Sequence, residues 1–319
     1  MSYGTMTVEN ATSTETILFA GTAVDVLVPS AVTDGAFALL RIANPPGCWT
    51  PPHRHQFEDE TVYVLSGTMQ VRTSDGAREL RPGQALVLPR GQPHQLGNAG
   101  TEEANLLVLC TPGGFDDFVR AAGRPASAGG TPSMTETDVA RLIQAAPRYG
   151  IELLPPDAAA PATAGTRSGH GVPDVLDVLG LGIEVLAEPG RDADDVCLLR
   201  GHFPPGAEVP WHSHADREAI HVLEGALDIA MGTAGVASWA TVSTGGTAYV
   251  PAHRPHAIRN RGNTPATALL VATRRIADLF REVGLAPGVL PPGSPSPERL
   301  GAFITAAQAR GFVLGEIRE

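Results

Sequence analysis

Residues 51–67 read PPHRHQFEDETVYVLSG. The run TVYVLSG is rich in β-branched residues and ends in glycine, which is typical of a β-strand. Side chains alternate between the two faces of a strand, so His53 and His55 are predicted to point to one side and Arg54 to the other. Glu60 begins the next predicted strand, and its carboxylate can fold back toward both imidazoles. The stretch therefore predicts a cluster of convergent polar side chains.

A search for internal repeats shows that this pattern occurs twice. Residues 39–55, LLRIANPPGCWTPPHRH, resemble residues 198–214, LLRGHFPPGAEVPWHSH. Farther along, residues 83–98, GQALVLPRGQPHQLGN, resemble residues 246–260, GTAYVPAHRPHAIRN. The segments keep the same order in both halves, so the sequence predicts two domains of one fold.

Each half combines short β-rich runs and Gly/Pro turns with later helical patterns such as TETDVARLIQAAPRYG. This organisation is typical of an all-β sandwich or barrel that carries a small C-terminal helical appendage. The predicted domains are residues 1–155 and 173–319. Residues 156–172 are rich in Pro, Ala, Gly and Ser without apolar periodicity, and we interpret them as a linker.

The recurring polar residues form one candidate metal site in each half. Three imidazole nitrogens and a carboxylate oxygen suit a divalent transition metal (Fe, Mn, Ni, Co, Cu or Zn) better than calcium or magnesium, which prefer oxygen ligands. A single His-x-His pair is more often an ordinary core or surface pair, but here the whole set recurs. The predicted ligands are His53, His55, Glu60 and His94 in the first domain, and His212, His214, Glu218 and His256 in the second.

These residues resemble the two motifs of the cupin superfamily, and the duplication resembles its two-domain members, the bicupins. The first motif, G-x5-H-x-H-x4-E-x6-G, spans Gly47 to Gly67, and the second, G-x5-P-x-G-x2-H-x3-N, spans Gly83 to Asn98. The second half departs from them by a one-residue deletion and by His253, which replaces the turn glycine. The resemblance implies tandem jelly-roll β-barrels with one metal each. A non-glycine residue at that turn costs strain where φ is positive, so we expect tighter metal binding in the first domain.

Three functional hypotheses follow from the resemblance. The first is a quercetinase-like dioxygenase that acts on an enol- or phenol-type aromatic or polyketide-like molecule with O2, with Glu60 or Glu218 as catalytic base. Glu60 can receive a proton if a weakly polar barrel raises its pKa. Val62, Val64 and Leu86 are predicted to line that barrel, which favours a flat apolar substrate.

The second hypothesis is a redox-neutral bicupin: a decarboxylase, isomerase or dehydratase. A reaction like that of oxalate decarboxylase would need an arginine beside the metal; Arg54 is predicted to face away, and the sequence does not place Arg217. The third hypothesis is a non-catalytic metal- or ligand-binding cupin.

Other residues near the motifs have simpler interpretations. The acids Glu58, Asp59 and Asp216 are predicted to lie in solvated loops, and His221 to fall on the opposite strand face, in a packing or surface role. The three cysteines are expected to be reduced packing residues.

Composition limits the partners. The net charge of −11 and the pI near 5.4 argue against nucleic acid or an anionic membrane. All 23 basic residues are arginine, which excludes Schiff-base chemistry on lysine. The sequence lacks a signal-peptide pattern, so a cytoplasmic location is expected. The expected partner is a small-molecule substrate, and a homo-oligomeric state stays open.

Overall fold

The computed structural model describes residues 8–9, 16–126, 133–156, 158, 166–168, 175–190, 192, 194–233, 236–286 and 296–315. The chain divides into two compact units, Thr14–Gly171 and a second that combines Met1–Ser13 with Val172–Glu319. We call them the first and second domains. The sequence assigns residues 1–13 to the first half, whereas the structure groups them with the second, because strand β1 (Val8–Glu9) pairs with residues 247–248. The linker predicted at residues 156–172 falls largely outside the described residues.

The first domain is a sandwich of two sheets built almost entirely from antiparallel strands. Its strands are β2 (Thr16–Phe19), β3 (Thr22–Val28), β4 (Ala38–Asn44), β5 (His53–His55), β6 (Asp59–Ser66), β7 (Met69–Thr73), β8 (Gly76–Leu80), β9 (Ala85–Leu88), β10 (His94–Gly97), β11 (Ala104–Thr111), β12 (Arg124–Pro125), β13 (Ile151–Leu153) and β14 (Thr166–Ser168). One sheet has the order β12-β2-β3-β4-β11-β6-β9, and the other has the order β13-β5-β10-β7-β8-β14. Residues far apart in sequence are therefore neighbours in the sheets, as in a jelly roll.

The helices of this domain follow its long strands. They are α1 (Phe115–Ala122) and α2 (Glu136–Ala145), and short 3-10 turns lie at Ser30–Val32 and Ala146–Tyr149. Thr135 caps α2 in a reciprocal capping box with Asp138, which satisfies two otherwise unpaired backbone donors. The predicted helical appendage is confirmed.

Alternation along β6 explains the core of the first domain. Val62 and Val64 are fully buried and share a strand face with Glu60, and Leu86 of β9 packs in the same cluster. These residues lie in the interior of the first domain, on the side that the alternation predicts. Burial of such side chains contributes about 1.5–3 kcal/mol each.

The second domain repeats the architecture. Its further strands are β15 (Val175–Val178), β16 (Leu181–Ala187), β17 (Val196–Phe203), β18 (Glu208–Ser213), β19 (Glu218–Glu224), β20 (Ala226–Thr233), β21 (Val236–Ser243), β22 (Thr247–Val250), β23 (His256–Arg259), β24 (Ala266–Thr273) and β25 (Val313–Leu314). The sheet orders are β1-β22-β19-β24-β17-β16-β15 and β21-β20-β23-β18-β25. Helices α3 (Arg274–Val283) and α4 (Pro297–Ala309) follow β24.

The prediction of an all-β fold with a C-terminal helical appendage in each half is therefore confirmed. Within the described part of the chain, no helix has both the length and the apolar character needed to cross a membrane.

Candidate metal centres

Strand pairing assembles the candidate site of the first domain. His53 and His55 lie at the two ends of the short strand β5, and His94 of β10 stands directly opposite His53 in the antiparallel register. Glu60 lies near the start of β6. One ligand atom from each of the four residues lies within 4.8 Å of every other, and all four residues are buried. The structure thus brings the four predicted residues together.

Arg54 confirms the predicted alternation on β5. Its guanidinium pairs with Glu152 of the neighbouring strand β13 at 2.8 Å, and its side chain is 39% exposed. It therefore lies away from the imidazoles.

Backbone carbonyls orient two of the three histidines. His53 Nδ1 lies 2.8 Å from the carbonyl oxygen of Pro51, and His94 Nδ1 lies 2.9 Å from that of Gln92. A carbonyl oxygen can only accept a hydrogen bond, so each Nδ1 carries the proton, and in the neutral ring Nε2 keeps its lone pair. Both rings are therefore held in the tautomer that a metal ligand requires.

The atoms that face the centre of the first site lack partners. His55 Nε2, His94 Nε2 and Glu60 Oε2 are buried and make no hydrogen bond within the described residues. His94 Nε2 lies 3.1 Å from Glu60 Oε2, and His55 Nε2 lies 3.7 Å from it. Unsatisfied buried acceptors are costly, and a cation at their point of convergence removes the cost. The donor set therefore fits a divalent transition metal.

Electrostatics support an anionic Glu60 beside a neutral His53. Burial lowers the pKa of His55, but its hydrogen bond to Glu58 and the charge of Glu60 outweigh burial and raise it. Burial, followed by the charges of His94 and His55, lowers the pKa of His53 to about 3. Burial alone raises the pKa of Glu60, but contact with His94 and the other imidazoles outweighs it and brings that pKa to about 2. The expectation that the barrel raises the pKa of Glu60 is therefore wrong, because the surrounding histidines stabilise the anion.

The second domain repeats the histidine arrangement. Nδ1 of His212 lies 2.8 Å from the carbonyl oxygen of Pro210, and Nδ1 of His256 lies 2.8 Å from that of Arg254. Ligand atoms of the three histidines His212, His214 and His256 also lie within 4.8 Å of one another.

Glu218 completes this set more loosely than Glu60 completes the first. Its carboxylate lies 3.3 Å from His256 Nε2 and 3.6 Å from His214 Nε2, and its side chain is 16% exposed, against 3% for Glu60. His212 is half-buried. The second site is thus the more open of the two.

The turn that precedes the last histidine keeps its shape despite the substitution. Gly91 has φ of 78° and His253 has φ of 60°. Each backbone N–H donates to the carbonyl of the second histidine, Gly91 to His55 at 2.7 Å and His253 to His214 at 2.6 Å. His253 thus has the positive φ that is unfavourable for a non-glycine residue, but the turn is not reshaped and still places His256 beside the other ligands.

The prediction of solvated loop acids is wrong. Glu58 and Asp216, each two residues before the ligand glutamate, are 4% exposed. Glu58 Oε2 accepts a hydrogen bond from His55 Nδ1 at 3.0 Å. Asp59 is also buried and pairs with Arg90 at 2.7 Å. The recurrence of an acid at the same offset in both copies was the sequence signal for the role of Glu58 and Asp216.

The remaining candidates behave as packing residues. Cys110 and Cys197 are buried free thiols, and Cys48 is a half-buried one. Burial, followed by the charges of Glu58, Glu60 and Asp116, raises the pKa of Cys110, so it stays a protonated thiol. His221 is buried, and its Nδ1 lies 2.9 Å from Thr247 Oγ1.

The family follows from the sequence match to these two sites. The profile of the Cupin domain family matches residues 41–110 and 199–272, so each match includes one complete ligand set. The chain belongs to the cupin superfamily. With two cupin domains it is a bicupin, as the motifs predicted.

Curated relatives of this bicupin match over single stretches. Quercetin 2,3-dioxygenase of Bacillus subtilis (strain 168) is 34% identical over 95 residues, which is 29% of this chain and 27% of that protein. The tetracenomycin polyketide synthase protein TcmJ of Streptomyces glaucescens is 31% identical over 86 residues, which is 27% of this chain and 58% of that protein. The chain thus spans about a quarter to somewhat over half the length of these relatives.

Solved structures match over most of the bicupin. Bacillus subtilis oxalate decarboxylase at pH 4.6 has a TM-score of 0.56 and 17% identity, and the match covers 86% of this chain and 77% of that one. The formate complex of Lactobacillus farciminis oxalate decarboxylase has a TM-score of 0.57 and 12% identity, with 86% and 87% coverage. At these identities the likeness shows the shared fold alone. The Bacillus subtilis decarboxylase has Mn(II) centres.

Proposed function

We propose that this bicupin is a metal-dependent dioxygenase that acts on an enol- or phenol-type hydroxyl of an aromatic or polyketide-like small molecule. The main support is a buried cluster of three histidines and a glutamate whose neighbours on the same strand face are apolar. The stretch that resembles quercetin 2,3-dioxygenase adds support for this substrate class.

The proposed ligands in the first domain are His53, His55, Glu60 and His94, and a second metal is held by His212, His214, Glu218 and His256. When bound, a divalent transition metal in such a set lowers the pKa of a coordinated hydroxyl and leaves positions open for further ligands. A metal held by these four residues would also bind the substrate hydroxyl and O2 and so bring them together.

In this proposal Glu60 is the proton acceptor for the substrate hydroxyl. Glu60 is held as a buried anion among the imidazoles, so its carboxylate can accept a proton from a hydroxyl bound beside it. Its low pKa makes it a weak base, so the transfer requires a hydroxyl that is already acidified. Glu218 has the equivalent role if the second site also turns over.

The surroundings of Glu60 favour a flat apolar substrate over a small dicarboxylate. Val62 and Val64 are fully buried on the Glu60 face of β6, and the ring of Phe115 lies 5.2 Å from that of His55. A dioxygenase transfers both atoms of O2 to the substrate, and the substrate itself supplies the electrons, so no separate reductant is required.

A redox-neutral reaction, including decarboxylation, is the second candidate. It is supported by the same metal centres and by the fold shared with oxalate decarboxylases. The position of Arg54, paired with Glu152 away from the imidazoles, counts against an oxalate-like substrate in the first domain. Either reaction is compatible with a polyketide-like substrate.

Oxygen consumption separates the two candidates. Metal-loaded protein is mixed with flavonols, catechols and related enols, and O2 uptake is followed with an electrode beside anaerobic product analysis. Uptake coupled to substrate loss is the expected result. If no substrate consumes O2 while an anaerobic isomerisation, dehydration or decarboxylation proceeds, the dioxygenase proposal is wrong. If neither occurs, the protein is a binding cupin.

Matched glutamate variants assign the site. Glu60→Gln keeps the shape of the side chain and removes the proton acceptor, so turnover per bound metal should fall about 100-fold or more, while substrate KM changes little. Metal content is measured in parallel, because Glu60 is also a proposed ligand. If Glu218→Gln abolishes turnover and Glu60→Gln does not, the reaction belongs to the second domain.

A further inference from the structure

The carboxylates behind the second histidine of each site are held differently. In the first domain, Glu58 Oε2 lies 3.0 Å from His55 Nδ1 and accepts its hydrogen bond. In the second, Asp216 Oδ2 lies 3.5 Å from His214 Nδ1, and neither atom has a hydrogen-bond partner within the described part of the chain. The aspartate is one methylene shorter than the glutamate, in keeping with this gap.

Asp216 is instead engaged from its other side. Its Oδ1 accepts hydrogen bonds from Thr273 Oγ1 at 2.7 Å and from Arg275 Nη1 at 2.8 Å. The guanidinium therefore offsets the charge of a carboxylate that is nearly inaccessible to water. In a weakly polarisable interior such an ion pair is only slightly screened.

The corresponding space in the first domain lies beside Gly114. A Cβ added there would lie 2.8 Å from Glu58 Oε1, so a larger side chain would have to displace the Glu58 carboxylate. Gly114 comes three residues after the end of β11, and Arg275 comes two residues after the end of β24, so the two positions correspond closely. The first domain thus has a glycine against its buried carboxylate where the second has an arginine.

We propose that Glu58 and Asp216 are positioning residues that give the two metal centres different affinities, with the tighter site in the first domain. A carboxylate that accepts a hydrogen bond from Nδ1–H fixes the orientation of the ring. It also increases the basicity of Nε2, which strengthens the bond to a metal. His55 has this support. His214 lacks the hydrogen bond, and Arg275 weakens the anionic field of Asp216. The proposal depends on the proposed metal ligands and not on the reaction.

Metal affinity at one site at a time tests the proposal. The full chain is used in two backgrounds: His212→Ala with His214→Ala, which leaves the first site, and His53→Ala with His55→Ala, which leaves the second. Co²⁺ affinity is measured by competition with a chromophoric chelator, and the Co²⁺ absorption spectrum reports on the ligand environment. Neither readout requires a substrate.

Opposite effects are expected in the two domains. Glu58→Gln removes the charge from the first site and should weaken Co²⁺ binding about 10- to 100-fold, with a changed spectrum; Glu58→Asp should retain part of the affinity. Arg275→Gln releases the charge of Asp216 and should tighten Co²⁺ binding at the second site several-fold. Arg281→Gln, which removes another arginine of α3 that pairs with Glu188 and Asp278 rather than with Asp216, is the control and should leave the affinity unchanged.

The proposal is overturned if Glu58→Gln leaves Co²⁺ affinity within two-fold, or if Arg275→Gln weakens or does not change binding at the second site. Circular dichroism identifies any variant that fails to fold. The two domains are tested independently, so a misfolded Glu58→Gln protein still leaves the Arg275→Gln result decisive. If the two double-histidine backgrounds do not bind Co²⁺ before any further substitution, the proposed metal ligands are wrong.

Discussion

The two domains keep the same ligands in different surroundings. In both, the first and third histidines are oriented by backbone carbonyls two residues upstream, at 2.8 to 2.9 Å. The second histidine differs: His55 has a hydrogen bond to Glu58, whereas His214 faces a carboxylate engaged by Arg275. Main-chain support is insensitive to side-chain substitution, but side-chain support is not. Divergence after duplication has therefore changed the one ligand whose orientation depends on a side chain.

The neighbours of that histidine also come from different parts of the fold. Phe115, at the start of α1, lies 5.2 Å from the His55 ring, while Phe312, after α4, lies 4.7 Å from the His214 ring. The first site is fully buried and the second is partly open. Conserved ligands thus do not imply equal behaviour of the two centres.

The largest expected effect is the loss of one metal at a time. Wild-type protein should contain two divalent metals per chain, and His53→Ala with His55→Ala should contain one, because two of four ligands are removed. The matched pair His212→Ala with His214→Ala should also contain one. Elemental analysis by mass spectrometry measures the ratio. Two metals retained by either double variant would show that the metal is bound elsewhere.

The next largest expected effect is on stability, because a tryptophan packs against glycine in the first domain and against arginine in the second. A Cβ at Gly97 would lie 1.9 to 2.4 Å from ring atoms of Trp49, so Gly97→Ala should destabilise the first domain by about 2 kcal/mol through overpacking. Arg259 occupies the equivalent position of β23 and lies 3.5 Å from the Trp239 ring centre. Arg259→Ala should therefore cost the second domain less, about 0.5–1 kcal/mol.

Hydrogen exchange with peptide-level resolution checks both variants, because it reports on each domain separately. The prediction is wrong if the two variants lose equal hydrogen-exchange protection, or if Gly97→Ala loses no protection in the first domain.

A buried ion cluster should make the second domain respond to acid. Burial raises the pKa of Glu184, but its bonds to Arg200 at 2.5 Å and His202 at 2.7 Å outweigh burial and lower it. A lowered carboxyl pKa stabilises the fold above the unfolded value, near 4.5, and that contribution is lost as pH falls through the folded value. Glu184→Gln should cost about 1–2 kcal/mol at pH 7, and the difference from wild type should shrink below pH 4.5.

Urea unfolding at pH 7 and pH 4 measures this difference. The matched first-domain variant is Asp25→Asn, which removes the partner of Arg41. A cost of Glu184→Gln that is the same at both pH values would rule out the linkage.

The smallest effect concerns the turn before the last histidine. His253→Gly relieves a positive φ but increases the entropy of the unfolded chain, so stability should change by less than about 1 kcal/mol. Gly91→Ala forces a side chain into the same conformation and should cost about 1 kcal/mol. Thermal unfolding compares them, and a larger loss from His253→Gly than from Gly91→Ala would contradict the shared turn geometry.

Much of this molecule could be predicted from local patterns. The duplication, the all-β fold and the ligands on β5 and β10 follow from the strand alternation and from the repeated motif. The burial of Glu58 and Asp216 could not be predicted in this way, since an acid in a short loop is usually solvated. The low pKa of Glu60 was also missed, because it depends on three imidazoles from two other strands, β5 and β10. Both depend on tertiary contacts rather than on strand periodicity.

Anomalous X-ray diffraction tests the central claim, that each domain holds a metal in its histidine and glutamate cluster, most directly. Crystals of protein purified without added metal are measured at the absorption edge of the metal found by X-ray fluorescence. We predict one peak in each domain, about 2.0–2.1 Å from the Nε2 atoms of the three histidines, with higher occupancy in the first domain. No peak at either cluster, or a metal bound by other residues, would contradict the claim.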